Sequence, residues 1–496
     1  MTRAFYRSCL NYMSNLPAQN IGLLAGPITA LLLIQFLQLD GLPQAGVYTA
    51  AIAIWMAIWW ATEAVPVATT ALIPLILFPL LQLMTLDKAS ATYGNPIIFL
   101  FLGGFILSVA IQKCGLHLRI AFTILNAVNH SGGAIILSFA VASAFLSMWI
   151  SNTSTTLMLL PVALSVAAGL SELSNQLSAK EFNHFKLNLM LAIAYGSTFG
   201  GISTIVGTPP NAFLIAYLST EHQITIGFAE WMVATLPLTF AFIAAFYFLT
   251  TKVLFPVSFS TPPEVIVQIK QHRANLGVMS GAELRVAIVF LLVIFAWITK
   301  GLVQKYLPAI ALSDTAIALI GAMSLFILND GNTNDKRRLL VWNDLRDIPW
   351  DVLILFGGGL CLAAAFSSSG LAQWLGSSLA SLHTLGLLLL VLGATTLIIF
   401  MTEMTSNLAT TATFLPVASA IALQIGVDPL VLAIPITLAA SCAFMLPVAT
   451  PPNAIIFASG HITISQMIKA GFALNMIGIL LVTAVGYFWV PMVLNR

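Results

Sequence analysis

The chain alternates between long apolar runs and short polar joints. Apolar stretches lie near 21–39, 47–66, 67–86, 97–129, 188–219, 231–255, 286–306, 313–329, 350–382, 428–458 and 470–493. Many reach the ~20 residues that carry an α-helix across a hydrocarbon core, so the pattern predicts about eleven transmembrane helices. Two further stretches, near 135–170 and 385–424, are each interrupted at their middle by a polar cluster. These predict re-entrant hairpins, because bare backbone at mid-membrane is tolerated only where it is buried in protein or lines a cavity. The predicted class is an all-α polytopic membrane protein.

Composition agrees. Hydrophobic residues make up 59% of the 496 positions and charged residues only 7%, against about 25% charged in a soluble domain. The net charge of +2 argues neither for nucleic acid nor for an acidic partner. Cys9, Cys114, Cys361 and Cys442 show no CxxC or zinc spacing, and the last three read as small buried hydrophobes. Arg3 and Arg7 precede the first apolar run, which is too long for a signal-peptide core and lacks an A-x-A site, so it reads as the first span.

Basic residues sort the loops by side. Lys180, Lys186, Lys252, Lys270, Arg273, Arg285, Lys336, Arg337, Arg338 and Arg346 fall on the side of Arg3 and Arg7. The far side holds Lys88, Lys300, Lys305 and Arg496. The positive-inside rule then predicts a cytoplasmic N-terminus and an outer C-terminus, in a bacterial inner membrane.

An internal repeat runs through the chain. Residues 147–167 align without gaps on 402–422 with nine identities in 21, and 103–116 on 358–371 with six in 14. Downstream, TPPNA at 208–212 recurs at 450–454. The predicted spans carry the first copy into the membrane from one side and the second from the other. This is an inverted-topology repeat, an architecture of secondary transporters.

The polar clusters carry the chemistry. Ser151-Asn152-Thr153 and Ser406-Asn407-Leu408 each interrupt an apolar hairpin, followed by Thr155-Thr156 and Thr410-Thr411. Half-helices meeting there expose N–H groups that suit an anion and carbonyls that suit Na⁺. The plainer reading, small polar side chains bonding across packed helices, accounts for one such cluster but poorly for two symmetric ones. Thr208-Pro209-Pro210-Asn211 and Thr450-Pro451-Pro452-Asn453 each break a span, since tandem proline removes two donors. Gly200-Gly201 allows close backbone approach.

The two SN clusters, the two TPPN motifs and Trp59-Trp60-Ala61-Thr62-Glu63-Ala64-Val65-Pro66 resemble the divalent anion:sodium symporter family over nearly the whole chain. The resemblance implies a homodimer, with scaffold and transport domains in each protomer and an elevator-type motion. Residues 1–129 and 256–382 would be mainly scaffold, and 130–255 and 383–496 would supply hairpins and broken helices to the transport domain. It implies one Na⁺ site at Ser147, Ser151, Asn152 and Gly200 and a second at Thr402, Thr405, Asn407 and Ala449. Substrate would touch Asn152, Thr153, Gly201, Asn407, Leu408, Thr450 and Pro451. Leu408 departs from the family pattern, which places a threonine there.

No Lys or Arg lies within either motif. The substrate's charge must therefore be met by helix ends, amides and bound Na⁺. Glu403 is expected to point toward a polar neighbour rather than at an anionic substrate, with proton sensing as the sharper alternative. Glu63, Lys113 and Asp351 are expected to sit in structural pairs. The expected function is Na⁺-coupled symport of a di- or tricarboxylate, a C4-dicarboxylate such as succinate first. Alternatives on the same fold are a dicarboxylate exchanger and a sulfate-type carrier. A channel would want a continuous lined pore, and no HExxH or GxSxG suggests an enzyme.

Overall fold

The computed structural model describes residues 17–36, 40–127, 131–173, 178–259, 263–307, 309, 312–331, 337–378 and 386–494. Arg3, Arg7, Cys9, Lys336 and Arg496 lie outside the described residues. Among the described residues the regular structure is helical, apart from one isolated bridge between Asn329 and Arg338. Eight helical segments among them are long and apolar enough to cross a membrane.

The first half comprises α1 (Pro17–Phe36), α2 (Gln44–Thr62), α3 (Pro96–Lys113), α4 (Leu116–Asn126), α5 (Gly132–Ser147), α6 (Asn152–Leu173), α7 (Ala179–Ile202), α8 (Pro209–Glu221) and α9 (Phe228–Phe248). The second half comprises α10 (Gly281–Tyr306), α11 (Asp314–Ile327), α12 (Trp350–Ser368), α13 (Leu371–Ser378), α14 (Leu387–Thr402), α15 (Asn407–Gln424), α16 (Leu430–Ala440), α17 (Pro451–Ala458) and α18 (Ile464–Ala484). Both hairpins form where the polar interruptions placed them, as α5–α6 and α14–α15. Their first arms have 16 residues each. At 1.5 Å per residue that is about 24 Å, short of the ~30 Å hydrocarbon core.

Three expected spans are divided. The 67–86 stretch forms Val67–Thr70 and Ile73–Leu80, because Pro74 brings no N–H to bond back across the turn at 71–72. The stretches 97–129 and 350–382 break at Gly115 (φ 83°) and Gly370 (φ 78°). Both adopt the left-handed backbone that ends a helix and that glycine enters at least cost. Each break starts a new short helix, α4 or α13.

The inverted repeat extends beyond the matched sequence. Helices α5 and α14 have the same length and stand 255 residues apart, the spacing of the motif alignment. Helices α9 and α18 each have 21 residues, and each runs on into a π-helical stretch, Leu249–Leu254 or Val485–Trp489. Packing repeats too: a Cβ on Gly103 would lie 2.8 Å from Ala318, and the equivalent Gly358 packs against Ala71.

Of the isolated charges, Lys113 pairs with Asp344 at 2.6 Å as expected. Glu63 and Asp351 do not pair. Both are exposed and form no ion pair among the described residues, and Glu63 caps α2 in a left-handed conformation (φ 46°). Cys361 and Cys442 are buried and Cys114 is half-buried.

Candidate functional site

The tip of each hairpin converts a helix break into a cluster of neutral oxygens. In the first, Ser147 ends α5 and its hydroxyl donates to Asn152 Oδ1 at the start of α6. In the second, Thr402 Oγ1 donates to Asn407 Oδ1 at 2.7 Å and is placed to reach Ala440 O at the same distance. The next turn repeats as well: Thr156 donates to Asn152 O and Thr411 to Asn407 O, each at 2.9 Å. Ser151 Oγ bonds Ser154 Oγ at 2.9 Å, and Thr405 Oγ1 lies 2.6 Å from Thr410 Oγ1. Hydroxyl, amide and carbonyl oxygens of this kind are ligands for a hard cation.

Opposite each tip lies a broken helix. Between α7 and α8 the chain unwinds at 203–208, and between α16 and α17 at 441–450. Tandem proline fits the first turn of α8 and α17, where an N–H has no intrahelical partner. The freed carbonyls are bound by the asparagine that follows the prolines. Asn211 Nδ2 shares its two protons among Gly201 O, Ile202 O and Thr204 O at 2.8–3.1 Å, and Asn453 Nδ2 donates to Ala443 O and Leu446 O at 3.1 Å. The repeated TPPN motif was visible in the sequence. The role of its asparagine as a brace was not.

The expected site residues fall into three groups. Ser147, Ser151, Asn152 and Thr153 share the first tip, and Thr402, Thr405 and Asn407 the second. Gly201 lies against the first tip, where a Cβ would come 2.7 Å from Asn152 Oδ1 and 3.2 Å from Gly207 O. Ala449, Thr450 and Pro451 join the second broken helix, with Thr450 capping α17. Two residues sit elsewhere. Gly200 packs within α7 against the backbone of Ala144, so it serves helix contact. The asparagine braces pair Gly207, rather than Gly200, with Ala449. Leu408 turns its side chain into the hydrophobic core, whereas Thr153 is half-buried.

Glu403 is buried, and its carboxylate turns to the second broken helix. Oε1 accepts from Phe444 N (2.7 Å) and Met445 N (2.9 Å), and Oε2 from Met445 N (3.0 Å) and Leu446 N (3.1 Å). Asn475 Nδ2 on α18 adds a bond to Oε1 at 2.7 Å. In the first repeat the equivalent positions are Met148 and Thr239, so this charge has no symmetric partner. The side chain faces polar neighbours, as expected from the sequence.

A family profile described as the sodium:sulfate symporter transmembrane region matches residues 18–495. The sodium-dependent dicarboxylate transporter SdcS of Staphylococcus aureus (strain USA300) is 41% identical over 482 residues, which cover 96% of this chain and 92% of that protein. SdcS of Staphylococcus saprophyticus is 40% identical over 479 residues, with the same coverage. Among solved structures, the YdaH transporter of Alcanivorax borkumensis aligns with a TM-score of 0.55 at 14% identity, covering 89% of this chain and 98% of that one. That likeness is one of fold. The profile and the relatives span nearly the whole chain, and the protein belongs to the sodium:sulfate, or divalent anion:sodium, symporter family of membrane transporters.

Proposed function

We propose that the protein carries a dicarboxylate, a C4 acid such as succinate first, together with Na⁺ by an elevator-type motion. The observation that carries this reading is the pair of hydroxyl–asparagine clusters, Ser147–Asn152 and Thr402–Asn407, at the two hairpin tips. Relatives at about 40% identity named for sodium-dependent dicarboxylate transport support it. One Na⁺ lies among Ser147, Ser151, Asn152 and the Gly207 carbonyl, and a second among Thr402, Thr405, Asn407 and Ala449. Substrate lies between them, touching Asn152, Thr153, Gly201, Asn407, Thr450 and Pro451. Leu408 is left out because its side chain is enclosed.

The mechanism follows from the charges. The site offers a dicarboxylate hydroxyls and amides but no Lys or Arg, so bound Na⁺ supplies the positive charge and substrate binds well only after it. Helices α5–α9 and α14–α18 move as one unit against α2, α3, α10, α11 and α12. With the N-terminus cytoplasmic, Phe228 stacked on Trp297 at 4.1 Å closes the outer end.

Uptake of labelled succinate into proteoliposomes, with and without a Na⁺ gradient, tests the reading. Uptake is expected only with Na⁺, and to vanish in Asn152→Ala and Asn407→Ala proteins that still insert. Full Na⁺-driven uptake by both variants removes the site assignment. Exchange without Na⁺, or sulfate outcompeting every dicarboxylate, selects one of the other two carriers on this fold.

A further inference from the structure

Inside each of the two sets of helices the inverted repeat keeps its glycine packing, its asparagine braces and its hydroxyl–asparagine pairs, the shell of Glu403 excepted. Gly103 on Ala318 repeats as Gly358 on Ala71. Asn211 and Asn453 brace equivalent carbonyls, and the hydroxyl–asparagine pairs match. Between the sets the repeat fails. A Cβ on Gly104 would meet Val206 at 3.2 Å, but on the equivalent Gly359 it would meet Phe213 at 2.7 Å and Ala412 at 3.1 Å. Trp149 is buried edge-on to Phe290 (5.0 Å between centroids), and Phe228 is buried on Trp297. Their equivalents, Met404 and Ile464, are 76% and 48% exposed. Leu157, the equivalent of buried Ala412, is 51% exposed, and Val448, the equivalent of Val206, 77%.

We infer that these unmatched contacts are the two halves of one exchange, and that Leu157, Met404, Val448 and Ile464 are the docking residues of the protein's second state. In that state Leu157 takes the place of Val206 against Gly104, and Val448 the place of Phe213 and Ala412 against Gly359. Met404 and Ile464 become covered as Trp149 and Phe228 are released. At Gly104 and Gly359 the exchange swaps apolar side chains against the same glycine face, which lacks a Cβ and so accepts either. The two states then bury similar apolar surface, as a carrier that must populate both requires. Other apolar side chains of the hairpins are exposed as well, Phe145, Leu397 and Leu423 among them, and what sets the four apart is that their repeat equivalents are covered in contacts between the sets. The inference rests on the transport reading for the existence of a second state, and adds which contacts each state makes.

Single-cysteine variants in a background without Cys9, Cys114, Cys361 and Cys442 test it. Leu157→Cys, Met404→Cys, Val448→Cys and Val206→Cys proteins are reconstituted in liposomes. Their reaction rates with a small polar maleimide are compared in K⁺ alone and in Na⁺ plus succinate, with succinate uptake followed in the same vesicles. The first three rates are expected to move together and the Val206→Cys rate in the opposite direction. The change is about tenfold or more if a state populated at ~10% or less becomes dominant. Rates that do not change, or that all move the same way, overturn the exchange whether or not uptake is seen. Antisymmetric rates without Na⁺-driven uptake uphold the exchange and remove the transport reading instead. A variant that fails to insert leaves the other three to decide, and the antisymmetry needs only Val206→Cys and one of the exposed positions. If the Val206→Cys protein is the one lost, Trp149→Cys replaces it as the position expected to open.

Discussion

Glu403 illustrates what a charge needs in the middle of this protein. Its two oxygens collect four contacts from three consecutive amides and a fifth from Asn475. A buried ionised carboxylate is tolerable only with such a shell. Glutamine at this position keeps one acceptor but turns an NH₂ toward backbone N–H groups that need acceptors. An unsatisfied buried donor costs about 1–3 kcal/mol. Glu403→Gln should therefore lower the melting temperature. It also removes a negative charge next to Thr402 and close to Thr405, so half-maximal uptake should need severalfold more Na⁺, with the succinate KM at saturating Na⁺ little changed. A folded Glu403→Gln protein with wild-type Na⁺ dependence would confine the residue to bracing. Leu408 shows the limit of reading a single residue. Sequence symmetry paired it with Thr153, but side-chain direction depends on packing, and Leu408 points into the core.

At the scale of elements, hairpins and breaks were legible because they depend on composition. The polar steps at 151–153 and 406–408 locate both hairpin tips, and tandem prolines locate both broken helices. The breaks at Gly115 and Gly370 were not, since hydropathy does not register a left-handed φ. Nor was the place of Gly207, because the spacing between the copies changes from 255 at the hairpins to 242 at TPPN, upstream of the broken helices. The unwound segments make their own demand: free carbonyls at mid-membrane need donors. Asn211 spreads its two amide protons over three of them, and Asn453 serves two. Alanine at either position removes the donor and should cost about 1–3 kcal/mol or more in thermal stability. Aspartate should be worse than alanine, because a carboxylate faces carbonyls with no proton to give. Melting curves of the purified variants should rank wild type above Ala above Asp. An Asp variant as stable as wild type would mean that the amide nitrogen does no bracing.

Across the whole molecule, the proposed division into a fixed and a moving set of helices implies a fixed partner for the moving part. A homodimer would supply it, and light scattering corrected for detergent should give about twice the 53.0 kDa chain mass; a monomer that still transports removes the dimer from the mechanism. Ion coupling has a whole-molecule signature that needs no transport assay. An ion that binds the folded state alone stabilises it by RT ln(1 + [Na⁺]/Kd), about 2.7 kcal/mol at a hundred times Kd. Well above Kd, each bound ion then contributes about 1.4 kcal/mol for every tenfold rise in Na⁺. Two independent ions double that slope. Unfolding free energy should therefore rise by about 2.8 kcal/mol per decade of Na⁺ in wild type, and by about half that in Asn152→Ala or Asn407→Ala. The double variant should be flat, as should wild type titrated with K⁺ at matched ionic strength. The slope counts ions without assuming what else is carried. A wild-type slope near 1.4 kcal/mol that only one of the two substitutions abolishes would leave a single Na⁺ site, and equal responses to Na⁺ and K⁺ would leave neither cluster as a sodium site.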